Sequence, residues 1–194
     1  FADVLEHLRR PETIIYRAKQ FLAENGFILT SIPNIGHNSI LLSLRNGKFE
    51  YTSTGLLDDT HIHFLTRESI FKIFNKNDLF CTAEENKLIR PCDTELGNYY
   101  CQYPLMAISL ISKVDGHVYR FVHQWSKSTT TNNSDFIKGK KLTITQRFFE
   151  LVYDFGCFIK RKFNLKTPGI METLVFQPAE KTEKKKYEKY TPKS

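Results

Sequence analysis

The sequence has no long hydrophobic run, and this limits what the protein can be. No segment reaches the roughly 18 consecutive apolar residues that a membrane-spanning helix needs, because charged residues interrupt even apolar stretches such as residues 148–154. There is no Gly-X-Y period, no long heptad pattern and no repeat of solenoid length. These absences exclude collagen-like, coiled-coil and repeat architectures.

Several catalytic signatures are missing as well. The sequence contains neither a glycine-rich phosphate-binding loop nor a G-x-S-x-G nucleophile turn, which would bind nucleotide phosphates or present a catalytic serine. The aromatic signature of RNA-binding domains is also absent,. Nothing in the sequence therefore places a catalytic nucleophile.

Cysteine is scarce, and its spacing predicts no disulfide scaffold. The four cysteines are Cys81, Cys92, Cys101 and Cys157. They form no C-x-x-C pair, and a chain of this size with so few cysteines does not need disulfides to fold. No secretory signal is recognisable,. We therefore expect reduced thiols in a cytoplasmic protein.

What is present suffices for a buried core. Hydrophobic residues make up 41% of the 194 residues, including 16 Phe and 9 Tyr, which excludes wholesale disorder. The length fits one domain with an appendage. Residues 126–134 contain no apolar side chain, and this break predicts a linker. It would separate a domain at 1–125 from a helical appendage at 135–179, with a disordered basic tail at 180–194.

Positive charge is concentrated at the end of the chain. The net charge is +7, and residues 160–194 carry ten Lys or Arg residues against four Glu residues. Such a segment is typically a solvated, mobile tail, or else a surface attracted to anionic lipid or nucleic acid. The first 125 residues are accordingly much closer to neutral.

The hydrophobic pattern predicts alternating helices and strands, and hence an α/β fold. Residues 1–5 have the pattern of a strand end, residues 9–26 that of a helix, and residues 27–32 that of a strand buried on both faces,. Together they form a βαβ unit with a right-handed crossover. Further helices are predicted at 38–44, 67–77 and 143–162, and further strands at 80–89 and 118–125.

The first candidate site is formed by Asp3, Glu6 and His7. Open α/β folds bind ligands at the carboxyl edge of the sheet, where a chain leaving a strand at Asp3 would place these side chains. His7 could act as a general base near neutral pH. The other interpretation is that Glu6 and His7 only cap the following helix.

The second candidate site contains Asp58, His61 and His63. A pair of histidines two residues apart resembles part of a metal site, but without nearby cysteine the signal is weak. We therefore expect no metal. We expect instead that a loop holds His61 over the edge of the sheet, where it contacts substrate.

The opening motif carries a family resemblance. FADVLEHL at residues 1–8 resembles the strand-to-helix segment of class I S-adenosylmethionine-dependent methyltransferases, and GFILTSIPN at 26–34 looks like the family's fifth strand. GKFEYTSTGLLD at 47–58 and THIHFLTR at 60–67 are more specific. They look like small-molecule methyltransferases encoded in bacterial surface-polysaccharide loci.

Two shorter motifs, DTELG at 93–97 and YRFV at 119–122, also fit that group, so the resemblance covers residues 1 to about 125. It implies the second half of a Rossmann-like sheet, with a helical, basic C-terminal appendage. It also implies S-adenosylmethionine as cofactor and a small molecule or sugar as methyl acceptor.

The family's cofactor elements are only partly matched. Its glycine-rich loop and the acidic residue after its second strand would lie before Phe1. The resemblance therefore implies a fragment that retains only one side of the cofactor-binding site, formed by Phe1, Ala2 and Asp3. We expect this fragment to be inactive alone and to bind S-adenosylmethionine weakly.

The resemblance also implies roles for the candidate residues. An acceptor hydroxyl must lose a proton when it is methylated, and His7 is the first candidate for the base, with His61 second. Glu6, Asp58 and His61 are predicted to contact the acceptor.

A non-catalytic interaction module is the alternative function. The segment 143–162 is predicted to be an amphipathic helix with basic residues at its end, a combination typical of helices that lie on membranes. Its apolar stripe could equally pack on the sheet or on a second copy of the chain. We expect no nucleic-acid partner. A homodimer and peripheral membrane contact are the alternatives to a monomeric, purely cytoplasmic protein.

Overall fold

Four helices and four strands make up the part of the chain that the structure describes. This structure is a computed structural model, and it describes residues 1–97, 102, 110, 113–127, 138–139 and 141–164. The helices are α1 (Pro11–Gln20), α2 (Asn38–Arg45), α3 (Arg67–Asn75) and α4 (Ile144–Lys162), and the strands are β1 (Phe27–Pro33), β2 (Phe80–Glu84), β3 (Lys87–Leu88) and β4 (Val118–Ser126). Short 3₁₀ turns lie at Leu5–His7 and Pro91–Asp93.

Some predicted segments lie outside these residues. They include the linker beyond residue 127, the appendage beyond residue 164 and the tail at 180–194. Within the described ranges, no helix is long and apolar enough to cross a membrane.

The structure confirms a mixed α/β fold, but its sheet is built differently from the prediction. Strand β4 lies in the middle and pairs antiparallel with β1 on one side and with β2 and β3 on the other. A parallel bridge joins Ala2 to Ser31 of β1. Helix α1 lies between these two segments, but residues 1–5 form no strand, so the predicted strand–helix–strand unit is represented only by this isolated parallel bridge.

The prediction that β1 is buried on both faces is wrong. Phe27 and Leu29 are about half exposed, whereas Ile28, Thr30 and Ile32 are buried. This alternation is typical of a strand covered on one face only. An unbroken apolar run therefore did not indicate two-sided burial here.

Two predicted boundaries also differ. Helix α1 ends at Gln20, before the predicted end at residue 26, and Phe21 just beyond it is almost fully exposed. The predicted strand at 80–89 is divided into β2 and β3, and the register of β2 against β4 shifts between Cys81 and Ala83. Such an irregularity bends a strand.

The core lies between the sheet and α1 and α3. Trp125 of β4 is completely buried; its ring stacks on Phe74 at 4.1 Å between centroids and meets Phe71 edge-on at 4.9 Å. Its indole N–H donates to Thr30 Oγ1 at 3.0 Å. One tryptophan thus connects α3, β4 and β1.

The expectation that all thiols are reduced is wrong at Cys92. This residue is disulfide-bonded and buried beside the turn at Pro91–Asp93. Cys81 and Cys157 have free thiols, and burial raises the pKa of Cys81 to about 12. Spacing in the sequence does not show which cysteines the fold brings together.

A buried ion network joins α3 to the sheet. Arg67, the first residue of α3, is 5% exposed. Its guanidinium donates two hydrogen bonds to Asp115, before β4, and one of 2.6 Å to Glu84 at the end of β2. The pKa of Glu84 is lowered to about 2: burial opposes ionisation, but the nearby His123 ring and the hydrogen bond from Arg67 outweigh it.

We predict that Arg67→Ala lowers the free energy of unfolding by about 3–5 kcal/mol, because it leaves two buried carboxylates without their cation. The matched control is Lys19→Ala, which removes an ion pair with the exposed Asp78 and should cost about 0–1 kcal/mol. Urea denaturation measures both variants. Equal losses would contradict the central role of Arg67.

Candidate functional site

The candidate site begins where the chain leaves its parallel bridge at Ala2. Asp3 has a φ of 51°, in the left-handed region that non-glycine residues adopt rarely and often at functional sites. Its N–H donates to the Ser31 carbonyl at 3.0 Å, and its carboxylate accepts from Ser31 Oγ and from the Arg120 guanidinium. Contacts from two strands thus compensate for the unfavourable turn.

Glu6 is the most unusual residue of this turn. It is 1% exposed, and neither carboxylate oxygen has a hydrogen-bond partner in the described part of the chain. Burial raises the pKa of Glu6 and Asp3 raises it further, whereas the residue's own backbone N–H and the two nearby histidines lower it. Burying a carboxylate without a partner is costly, which makes Glu6 a candidate for function rather than for stability.

A loop from Asp58 to His63 closes over Glu6. Its backbone is held in place because the N–H groups of Ile62 and His63 donate to the Glu6 carbonyl at 2.9 and 3.0 Å. The Asp58 carboxylate accepts hydrogen bonds from the N–H and hydroxyl of Thr60, which lower its pKa. The loop therefore has a fixed shape above the turn.

Thr60 determines how His7 is oriented. His7 Nδ1 lies 3.1 Å from the Thr60 carbonyl and 3.2 Å from its hydroxyl. Because a carbonyl can only accept a hydrogen bond, we infer that Nδ1 carries the proton in neutral His7. The basic lone pair is then on Nε2.

His61 completes the cluster. Its ring meets the His7 ring edge-on with 4.8 Å between centroids, and its Nε2 lies 4.0 Å from Glu6 Oε1. Only 6% of its side chain is exposed. Two imidazoles and one unpartnered carboxylate are thus brought together from segments more than 50 residues apart in the sequence.

The structure brings most of the predicted site residues together. Asp3, Glu6, His7, Asp58 and His61 lie around the same turn and loop, as described above. The interpretation of Glu6 and His7 as helix caps is wrong, because the N-cap of α1 is Arg10 and no side chain caps that helix.

Other predicted residues have different surroundings. His63 does not belong to the cluster that contains His61. Phe1 packs against the hydrophobic core, and Ala2 forms the bridge to Ser31.

Sequence reasoning missed Thr60 and Arg120. Thr60 follows Asp58 by two residues, a spacing at which an Asp side chain often accepts from the backbone; this signal could have found it. Arg120 had no such signal, because its contact with Asp3 spans 117 positions.

The same cluster is the group that could best hold a metal ion. Glu6, His7 and His61 offer three donor atoms within 4.8 Å of one another. Around zinc, with bonds of about 2.0–2.2 Å, neighbouring donors lie about 3.3 Å apart, whereas His61 and Glu6 are separated by 4.0 Å. This geometry suits exchange of a proton better than a closed metal site, and the absence of a metal stays a prediction.

Comparisons of the sequence with protein-family models and with curated proteins found no match. The function is therefore argued from the chemistry of this cluster.

We predict that Glu6→Gln makes the protein more stable at pH 7 than the unchanged protein, with the gain vanishing near pH 4. The folded-state pKa of Glu6 is raised, so its favourable contribution exists at low pH and is lost as pH rises through the raised pKa. Thermal unfolding at both pH values measures the gain.

The matched control for this experiment is Glu12→Gln. Glu12 is exposed in the first turn of α1, where a negative charge favours the helix, so this variant should gain no stability at pH 7. A Glu6→Gln protein that is less stable at pH 7 would show that the carboxylate has a stabilising partner.

Proposed function

We propose that this chain is part of a class I S-adenosylmethionine-dependent methyltransferase that acts on a small-molecule or glycan acceptor. The observation that carries the proposal is the meeting of Glu6, His7 and His61 beside the turn at Asp3. A buried carboxylate and two imidazoles form an acid–base group of the kind that accepts a proton during catalysis.

The sheet supports this proposal. Ala2 and β1 run parallel with α1 between them, as in the βαβ units of Rossmann-like folds. Strands β4 and β2 extend the sheet with antiparallel pairing, and mixed sheets are common in folds of this class. We therefore keep the second half of a Rossmann-like sheet as the proposed architecture.

The position of the cluster supports it as well. Ligands of open α/β sheets bind beyond the carboxyl ends of the strands. Asp3 follows directly on the bridge at Ala2 and lies beside Ser31, near the end of β1. This position is compatible with acceptor binding at that edge of the proposed sheet.

Only part of the proposed cofactor-binding segment is arranged to contact the cofactor. Phe1, Ala2 and Asp3 line the start of the turn, but the Asp3 carboxylate is already bound by Arg120 and Ser31. Asp3 would therefore contribute by shaping the turn rather than through a free carboxylate. S-adenosylmethionine, when bound, supplies a methyl group activated on a sulfonium sulfur.

The residues of this chain then have distinct tasks. His7 Nε2 accepts the proton of the acceptor hydroxyl, while the Thr60 carbonyl holds the proton on Nδ1. Asp58 fixes Thr60, and the Glu6 carboxylate, within 4.8 Å of a ring nitrogen of His7, can stabilise the positive charge that His7 acquires. His61 packs beside the His7 ring. Holding donor and acceptor in line supplies much of the remaining rate enhancement.

The alternative function, docking on a membrane or a protein without catalysis, is favoured by a separate observation, the exposed face of α4 described below. Release of S-adenosylhomocysteine by the full-length protein would favour the enzyme. A complete lack of turnover with all acceptors tried would favour the module.

We predict that His7→Ala lowers turnover of the full-length protein about 10²- to 10⁴-fold, because the acceptor loses its general base. The affinity for S-adenosylmethionine should stay nearly unchanged. Product formation across a pH series measures turnover, and titration calorimetry measures the affinity.

The matched control is His63→Gln, which changes a histidine of the same loop outside the cluster and should leave turnover within a few-fold. If His7→Ala has an unchanged rate over the whole pH series, His7 has only a structural role and the proposed mechanism fails.

A further inference from the structure

Helix α4 is attached to the rest of the protein through its polar face. Glu150 accepts from Arg90 at 3.4 Å, and the Tyr153 hydroxyl donates to Asp93 at 3.1 Å. Arg161 donates to the carbonyls of Gly97 and Cys92. The contacts extend over three turns of the helix, so its orientation relative to the body is fixed.

Apolar packing strengthens the same attachment. Tyr153 and Cys157 pack against the buried cluster of Leu42, Cys92 and Leu110. The Arg90 guanidinium also lies 4.3 Å from the centre of the Tyr153 ring. The side of α4 that faces the protein is therefore already occupied.

The opposite side of α4 carries an outer ridge of apolar side chains. Its members recur at spacings of three or four residues, are 50–84% exposed, and are Ile144, Phe148, Val152 and Phe155. Phe163, just beyond the helix, is 60% exposed. An amphipathic helix usually turns its apolar side toward the core, and α4 does the reverse.

The charges of α4 are divided in the same way. Its two acidic residues face the protein: Glu150 lies against Arg90 and His117, and Asp154 is 3% exposed. Lys160 and Lys162 are exposed, and the Lys162 ammonium lies 5.4 Å from the centre of the Phe158 ring. The outer side of the helix is therefore apolar along its length and positive at its end.

We propose that α4 docks this protein on an anionic lipid membrane, with the outer ridge inserted among the lipid chains and Lys160 and Lys162 at the head groups. Exposed aromatic and aliphatic side chains combined with lysines are typical of helices that lie in the membrane interface. The proposal is independent of the proposed methyl transfer.

Charge complementarity favours a membrane over a second copy of the chain. A two-fold dimer places the same patch on both partners, and the outer side of α4 offers no acidic side chain that could pair with the lysines of a second copy, since Glu150 and Asp154 both face the protein. An anionic leaflet accepts both the apolar ridge and its lysines.

Flotation with lipid vesicles tests the proposal. One set contains phosphatidylcholine alone, and the other contains about one-third phosphatidylserine. We expect the 194-residue chain to float with the anionic vesicles at low salt and to be released as salt is raised, because surface charges are then screened. Lys160→Gln and Lys162→Gln should each weaken binding roughly 5-fold.

A matched pair of variants tests the outer ridge. Phe148→Asp combined with Phe155→Asp should weaken binding more than 10-fold, because charged groups must then enter apolar lipid. The control is Phe21→Asp. Phe21 follows α1, lies outside the outer ridge and is 89% exposed, so this substitution should leave membrane binding unchanged. Circular dichroism verifies that each variant is folded.

The contrary outcomes are equally definite. If the chain does not float with anionic vesicles at low salt, or binds both vesicle types equally, the proposal fails. It also fails if sedimentation shows a stable dimer that the double variant dissociates, since the outer ridge would then cover a second copy.

Discussion

The buried guanidinium of Arg67 is the constraint on which the other parts of the structure depend. A charge with 5% exposure must have partners,, and it finds them at Asp115 and Glu84, which precede β4 and end β2. These bonds fix α3 across the sheet, so that Phe71 and Phe74 meet Trp125. Asp115 adopts a left-handed backbone conformation in this arrangement, with a φ of 56°. The network thus determines where β4 begins.

Once β4 is fixed, it connects the core to the candidate site. Trp125, near its end, is buried against α3, whereas Arg120, near its start, reaches across β1 to the carboxylate of Asp3. Asp3 directs the chain into the turn that buries Glu6, and the Glu6 carbonyl holds the loop that carries His61. A few specific hydrogen bonds therefore connect the acid–base cluster to the core and fix its geometry.

The sequence predicted features that depend on near neighbours. Helices α2 and α3 and strands β1 and β4 lie where the hydrophobic pattern predicted them. The pairing of β1, the disulfide at Cys92 and the contact between His7 and Thr60 were not predictable. Each depends on residues far apart in the sequence, and local patterns contain no information about such contacts. The burial of Glu6 was not predictable for the same reason, because the loop that covers this residue comes from a distant part of the sequence.

Helix α4 shows a further limit of sequence patterns. Periodicity reveals that a helix has one apolar and one polar face, but not which face meets the protein. Here specific partners decide: Arg90, Asp93 and the carbonyls beside Cys92 and Gly97 bind polar side chains of α4. Because Glu150 Oε1, Tyr153 and Arg161 are bound in this orientation, turning the helix over would place apolar side chains against Arg90, Asp93 and the two carbonyls. The exposed apolar face is thus a consequence of how the body binds the polar one, and a lipid surface would satisfy the side that the protein leaves open.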